Sequence, residues 1–151
     1  MISTESKLWQ HLVGEVEHQE PDAAFHRFES PITPGASDVH YVTAHWCGWI
    51  ELKTAAWPRG KDPLRLHSPF TLAQATWSLN HHAPQRHLRS WLLVGIIGPR
   101  TWKGFVLCNP ANAVQLLNVR SSMPLQRFLL RVGVYHHVSI VDVVLRIRSR
   151  I

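Results

Sequence analysis

Two acids and a lysine dominate the chemistry this chain of 151 residues offers: Asp38, Glu51 and Lys53. In Trp49-Ile50-Glu51-Leu52-Lys53, polar and apolar residues alternate. On a strand, Glu51 and Lys53 therefore project from one face, and Ile50 and Leu52 from the other. A hairpin of residues 38–44 and 48–54, turning near 45–46, sets Asp38 opposite the Glu51–Lys53 end. Two carboxylates and an ammonium then share one patch. Neighbouring carboxylates repel, and burial raises the pKa of one unless a cation lies between them. A hard divalent ion such as Mg²⁺ accepts one or two carboxylates, keeps several waters and takes phosphate oxygens as its other ligands. It lowers the pKa of a bound water and offsets charge on a phosphodiester. Lys53 can orient the attacking water or stabilise the phosphorane, so phosphodiester hydrolysis uses this set of groups.

The elements that must position these residues follow from periodicity and breakers. Residues 4–17 read as a helix, with Thr4 as cap, Glu5 in its first turn and Leu8, Leu12, Val13 and Val16 at helical spacing. Glu20-Pro21-Asp22 breaks the pattern. Residues 24–29 suit a short strand, ended by the turn-rich Ser30-Pro31-Ile32-Thr33-Pro34-Gly35. After the hairpin comes a basic loop with Arg59, Lys61 and Arg65, then a helix over 71–82 with Leu72, Ala75 and Leu79 on one side. Trp91 to Ile97 is a continuous apolar run, as in a strand covered on both faces, and 101–108 reads as another strand. Beyond Pro110 the expected helices lie near 111–118, 124–131 and 139–149, the last with Ser139 and Asp142 as a capping pair. The β-branched content of 138–145 leaves a strand open there. The result is a mixed α/β domain, 1–151, with a core of about 4–108 and a C-terminal extension of about 110–151.

Composition excludes several classes. The chain is 45% hydrophobic and 17% charged, too apolar for a disordered tail and long enough for one core without staples. No apolar run reaches the roughly 18 residues of a membrane span, and the N-terminus lacks the layout of a signal peptide, so a soluble, cytoplasmic protein is expected. Cys47 and Cys108 are too few for a disulfide scaffold or a Cys-x-x-Cys zinc site. The net charge of +6 suits a polyanionic partner.

The motif set resembles the PD-(D/E)XK nuclease superfamily, most of all its small resolvase-type and VRR-NUC branch found in phages and archaea. Asp38 matches the first motif acid and Glu51-Leu52-Lys53 the E-x-K motif. Gln74 resembles the glutamine on the helix after the core strands. Glu5 resembles the acid on the first helix that often holds a metal-bound water. Arg27-Phe28-Glu29 also looks like the branch, which adds Arg27 to Arg59, Lys61 and Arg65 as expected DNA contacts. E-x-K alone is unspecific. Gly-x-x-Asp, twelve residues, apolar-Glu-apolar-Lys and then a helical Gln is more specific. The resemblance covers roughly residues 5–107 and departs at Ser37, where the family usually has Pro.

The resemblance implies a restriction-endonuclease-like αβββαβ core, with a mixed central sheet flanked by helices, and a metal-dependent endonuclease selective for branched or junction DNA. Asp38, Glu51 and the Leu52 carbonyl would bind Mg²⁺ or Mn²⁺, with Glu5 acting through water. Lys53 would assist the attacking water, and Gln74 would orient it or a phosphate. A homodimer in a bacterial or phage-infected cytoplasm is the implied setting. The alternative is a non-catalytic DNA-binding or phage accessory protein that keeps the nuclease fold.

Each residue also has a plainer reading. Asp38 suits a strand start, Glu51 and Lys53 an exposed cross-strand ion pair worth well under ~1 kcal/mol, and Gln74 a helix surface. Glu15 or Glu17 could replace Glu5, and Glu29 could be a further acid. His40 shares the Asp38 strand face and could line the site. The pairs His81-His82 and His136-His137 lack a ligand partner at convincing spacing. Among the seven Trp, Trp57 and Trp102 are the candidates for stacking on unpaired bases.

Overall fold

The computed structural model describes residues 4–28, 35–56, 65–113, 134–137 and 139–149. Helix α1 (Thr4–Gln19) is followed by strands β1 (Ala24–Arg27), β2 (Val39–Val42) and β3 (Cys47–Ala56). Next come helix α2 (Leu72–Asn80), a 3₁₀ turn at Pro84–Arg86, and strands β4 (Leu88–Ile97) and β5 (Trp102–Cys108). The short helix α3 (Pro110–Ala113), strand β6 (Val134–His137) and helix α4 (Ile140–Arg148) complete the described chain. The six strands form one sheet in the order β1-β2-β3-β4-β5-β6. Among the described strands only the β3–β4 pair is parallel. A parallel pair needs a crossover, and the segment carrying α2 supplies it.

The β2–β3 hairpin forms with Val39 opposite Ile50 and Val42 opposite Cys47, which centres its turn at 44–45 rather than 45–46 and still sets Asp38 at the Glu51 end. Its turn is closed by the Thr43 amide donating to the Trp46 carbonyl at 2.7 Å and the Trp46 amide donating to the Thr43 hydroxyl at 3.2 Å. Strand β4 lies between β3 and β5 and is buried on both faces, as its continuous apolar run requires. On one face, Leu8, Leu12 and Val16 of α1 and Ile140, Val143, Val144 and Ile147 of α4 share a core with Ile50, Leu52, Trp91, Leu93, Phe105 and Leu107. On the other, Phe70, Ala75 and Ala113 cover Ala55, Leu92, Val94, Ile96, Val106 and Cys108.

Several local expectations change. Residues 134–137, inside the expected extension, pair antiparallel with β5 as a sixth strand, and α4 belongs to the main core. The strand is only four residues long and carries two histidines, which leaves little periodicity to read. Residues 140–148 resolve the helix-or-strand alternative as a helix, because the Ser139 hydroxyl accepts from the Val141 amide at 3.1 Å and caps it. Of the expected apolar side of α2, Ala75 is buried but the two leucines are not. Ala75 and Ser78 are buried, while Leu72 is 72% and Leu79 45% exposed. Of the expected helix at 111–118, only the first turn lies within the described residues, and that at 124–131 lies outside them.

The loop leading to Asp38 is tied to α2 at Gly35. This residue has φ of 80°, and a Cβ there would lie 2.4 Å from the Ala73 carbonyl oxygen. Replacing Gly35 with alanine combines a left-handed backbone with a backbone collision, and is expected to cost roughly 2 kcal/mol. A thermal melt should show the loss, and a melting temperature equal to wild type would contradict it.

Candidate active site

Strand β3 continues past the end of β2, and that step creates the site. Asp38 stands just before β2, and its Oδ2 accepts the Leu52 amide at 2.9 Å, doing for β3 what a further β2 residue would have done. In extended backbone a residue's N–H and C=O face the same edge, so the Leu52 carbonyl shares the Asp38 side of β3. The Asp38 carbonyl accepts the Phe28 amide at 2.7 Å, which continues the β1–β2 ladder.

Strand alternation turns Glu51 and Lys53 toward α2 and leaves them 1% and 4% exposed. Lys53 Nζ lies 3.1 Å from Glu51 Oε1. The Gln74 side-chain amide donates to the same oxygen at 2.8 Å. Gln74 is fixed by the start of α2: its Oε1 accepts the Thr71 amide at 3.0 Å, and the Thr71 hydroxyl accepts the Gln74 amide at 3.1 Å. This reciprocal capping box locks the carboxamide, so its NH₂ can only point at Glu51. The Thr71-x-x-Gln74 spacing was readable as a cap; its link to Glu51 was not.

Glu51 Oε2 is buried and has no hydrogen-bond partner among the described residues. Burial, then repulsion from Asp38, pushes the Glu51 carboxyl up to about 8 despite the pull of Lys53. Burial also raises Asp38, against the opposing pull of the Leu52 amide and Lys53. Glu5, in the first turn of α1, adds negative potential at both carboxyls and accepts a short hydrogen bond from the Ser68 hydroxyl. Ser68 carries no motif and was not singled out in sequence. Glu15 instead accepts from Gln19 at 2.7 Å, and Glu17 is exposed.

The structure thus brings Asp38, Glu51, Lys53, Gln74 and Glu5 to one place. Arg27 lies at its margin, donating to the Ser6 hydroxyl at 2.8 Å and lowering the Asp38 pKa through its charge. Arg65 is exposed at the start of the segment that bridges β3 through Leu66 and Ala55. Arg59, Lys61, Glu29 and Trp57 lie outside the described residues. His40 does not join the carboxylates: its ring packs against Trp49, tilted at 55° with the centroids 4.7 Å apart. Trp102 is no stacking platform, because it packs against Phe105 and His11 and over Gly95. At the far end, Arg148 pairs with Glu20 and Arg146 lies over the Tyr135 ring at 3.7 Å.

This donor set fits a hard divalent cation. The buried Glu51 and half-buried Asp38, both with raised pKa values, repel each other, Glu51 has an oxygen without a hydrogen-bond partner among the described residues, and a backbone carbonyl shares the Asp38 side of the strand. Among the described residues, no three His, Cys, Asp or Glu side chains converge closely enough to hold a metal by themselves. Such a partial shell suits an ion that keeps water and takes phosphate oxygens, the habit of Mg²⁺.

No family model and no curated protein matches the chain. Among solved structures, the chain is similar to Hjc, a Holliday junction resolvase from the archaeal hyperthermophile Archaeoglobus fulgidus. The TM-score is 0.52 and the identity 14%, over 91% of this chain and 98% of that one. The chain has a resolvase-like α/β fold, a six-stranded mixed sheet flanked by helices. No described helix is long and apolar enough to cross a membrane.

Proposed function

We propose that the protein is a metal-dependent, structure-selective DNA endonuclease of resolvase type. The observation that carries this reading is the buried Glu51, held by Lys53 and Gln74 beside Asp38 with one carboxylate oxygen unsatisfied. A burial this costly has no evident value to the fold, since two apolar residues would pack there without penalty. The fold shared with a junction resolvase supports DNA as the substrate, and the net charge of +6 agrees with it.

The geometry of the described residues supports the following roles. Asp38, Glu51 and the Leu52 carbonyl would hold Mg²⁺ or Mn²⁺, which when bound supplies a Lewis acid for a phosphodiester oxygen and a more acidic water. Lys53 projects from the same face of β3 with its ammonium beside Glu51, where it can hold the attacking water or the charge growing on the phosphorus oxygens. Gln74 is a positioning residue: it fixes the Glu51 rotamer through a carboxamide that the helix cap has already oriented. Glu5 closes the site from α1 and can hold a water through its free carboxylate capacity. Arg27, Arg59, Lys61 and Arg65 are assigned to the phosphate backbone, and a homodimer would present two such sites to a branched junction.

The test is cleavage of four-way, flapped, single-stranded and linear DNA with Mg²⁺ and with chelator. Cleavage of a branched substrate that stops in chelator is expected, leaving 5′-phosphate ends. Salt-sensitive binding with no cleavage of any substrate would instead indicate a non-catalytic DNA-binding protein.

A further inference from the structure

The helix layer on the active-site face of the sheet stops at β3. From Trp49 of β3 toward β2 and β1, that face carries His26, Phe28, His40 and Val42, and among the described helices only α2 reaches it, through Trp77 against Trp49. His26, His40 and Trp49 are directly opposed cross-strand partners and form one row. Trp49 meets the edge of Trp77 on α2 at 4.9 Å. Phe28, 46% exposed, lies 5.5 Å from Trp49. The adjoining row is that of Asp38 and Glu51, two residues along the strands, or about 7 Å away. Trp49 precedes Glu51 by two residues, and Trp77 follows Gln74 by three. The aromatic row is therefore positioned by the same two elements as the candidate catalytic groups.

We infer that this open face stacks unpaired nucleobases of the strand whose phosphodiester lies at Asp38 and Glu51. The inference rests on the nuclease reading and adds to it a basis for choosing branched over continuous DNA. Aromatic faces on an open sheet bind bases that have left the helical stack, whereas bases within a duplex present only their edges. The row sits about one nucleotide's reach from the carboxylates, so an unstacked base at a branch point and the adjoining phosphate can be held together. Asp38 and Glu51 are the acids of the adjoining row, and His26, Phe28, His40, Val42 and Trp49 themselves add no negative charge to meet a polyanion. A second copy of the chain fits it less well, because two of the row's three members are histidines rather than the apolar side chains that dominate the centres of homodimer contacts.

The experiment is binding of a labelled oligothymidylate and of a blunt duplex of equal length, measured by fluorescence anisotropy in chelator so that no cleavage intervenes. Trp49→Leu and Phe28→Ala should each weaken oligothymidylate binding roughly tenfold and duplex binding less than twofold, while Trp49→Phe keeps most of the affinity. Should Trp49→Leu lower the melting temperature substantially, Phe28→Ala and His26→Ala at exposed ring positions decide. Equal losses on both DNAs, or no loss on either, would overturn the inference. So would a fall in molecular mass by light scattering in the variants, which would make the face a subunit contact. Oligothymidylate binding that needs these rings, without cleavage of any substrate, would leave the platform standing and remove the nuclease reading. Cleavage of branched DNA that is indifferent to the rings would do the reverse.

Discussion

Lys53→Ala is expected to cleave a synthetic four-way junction at least about a thousandfold more slowly than wild type at saturating Mg²⁺, with junction affinity in chelator changed less than threefold. The ammonium is buried, lies 3.1 Å from Glu51 and projects from the same face of β3, so it acts with little competition from water. Removing it should affect the charge-developing step far more than ground-state binding. Lys53→Arg should recover little, because a planar guanidinium cannot occupy the volume of a compact ammonium beside Glu51 and Gln74. Single-turnover rates on the junction give the comparison. Rates within tenfold of wild type for Lys53→Ala would remove Lys53 from the chemistry.

The second large effect is a linkage between pH, metal and stability at Glu51. In the folded chain without metal, the carboxyl is pushed up to about 8, whereas the unfolded chain has the ordinary carboxylate value near 4.5. Between these limits the folded state holds a proton that the unfolded state releases. The associated stability is full below the ordinary value and is lost as pH rises toward about 8. Asp38 shifts in the same direction and adds to the trend. In chelator, the melting temperature should therefore fall between pH 5 and pH 8.5 by on the order of 5–10 °C. A divalent cation competes with that proton, so stabilisation by Mn²⁺ should grow with pH and level off near 8. Glu51→Gln keeps the side-chain shape without the charge. It should flatten the pH dependence in chelator and abolish most of the Mn²⁺ shift. Thermal melts over a pH series with and without Mn²⁺ read all of these, and a Glu51→Gln profile parallel to wild type would refute the linkage.

The meeting of Asp38, Glu51 and Lys53 was legible in sequence because it depends on two strong local rules. Period-two alternation puts Glu51 and Lys53 on one face, and a hairpin of readable length sets Asp38 opposite them. Glu5 and Gln74 were legible only as matches to a family pattern, since nothing in a helix's own sequence says which residue will meet a strand. The orientation of α2 shows the difficulty. Leu72, Ala75 and Leu79 looked like its inner side, yet the Thr71–Gln74 cap and the Gln74–Glu51 hydrogen bond turn Ala75 and Ser78 inward and leave both leucines outside. A polar contact outweighed the hydrophobic pattern on a helix of nine residues. Strand β6 was missed for another reason: its pairing with β5 is a long-range contact, and four residues carry too little signal to announce it.

The Leu52 amide is bonded to a side chain rather than to a neighbouring strand, and this makes it a built-in spectroscopic probe. Its proton resonance should follow the ionisation of Asp38, and its shift should move when a cation draws that carboxylate away. The flanking amides of β3, tied into backbone ladders, should stay comparatively still. One cross-peak in a nitrogen–proton correlation spectrum would thus report the state of the site without any substrate present.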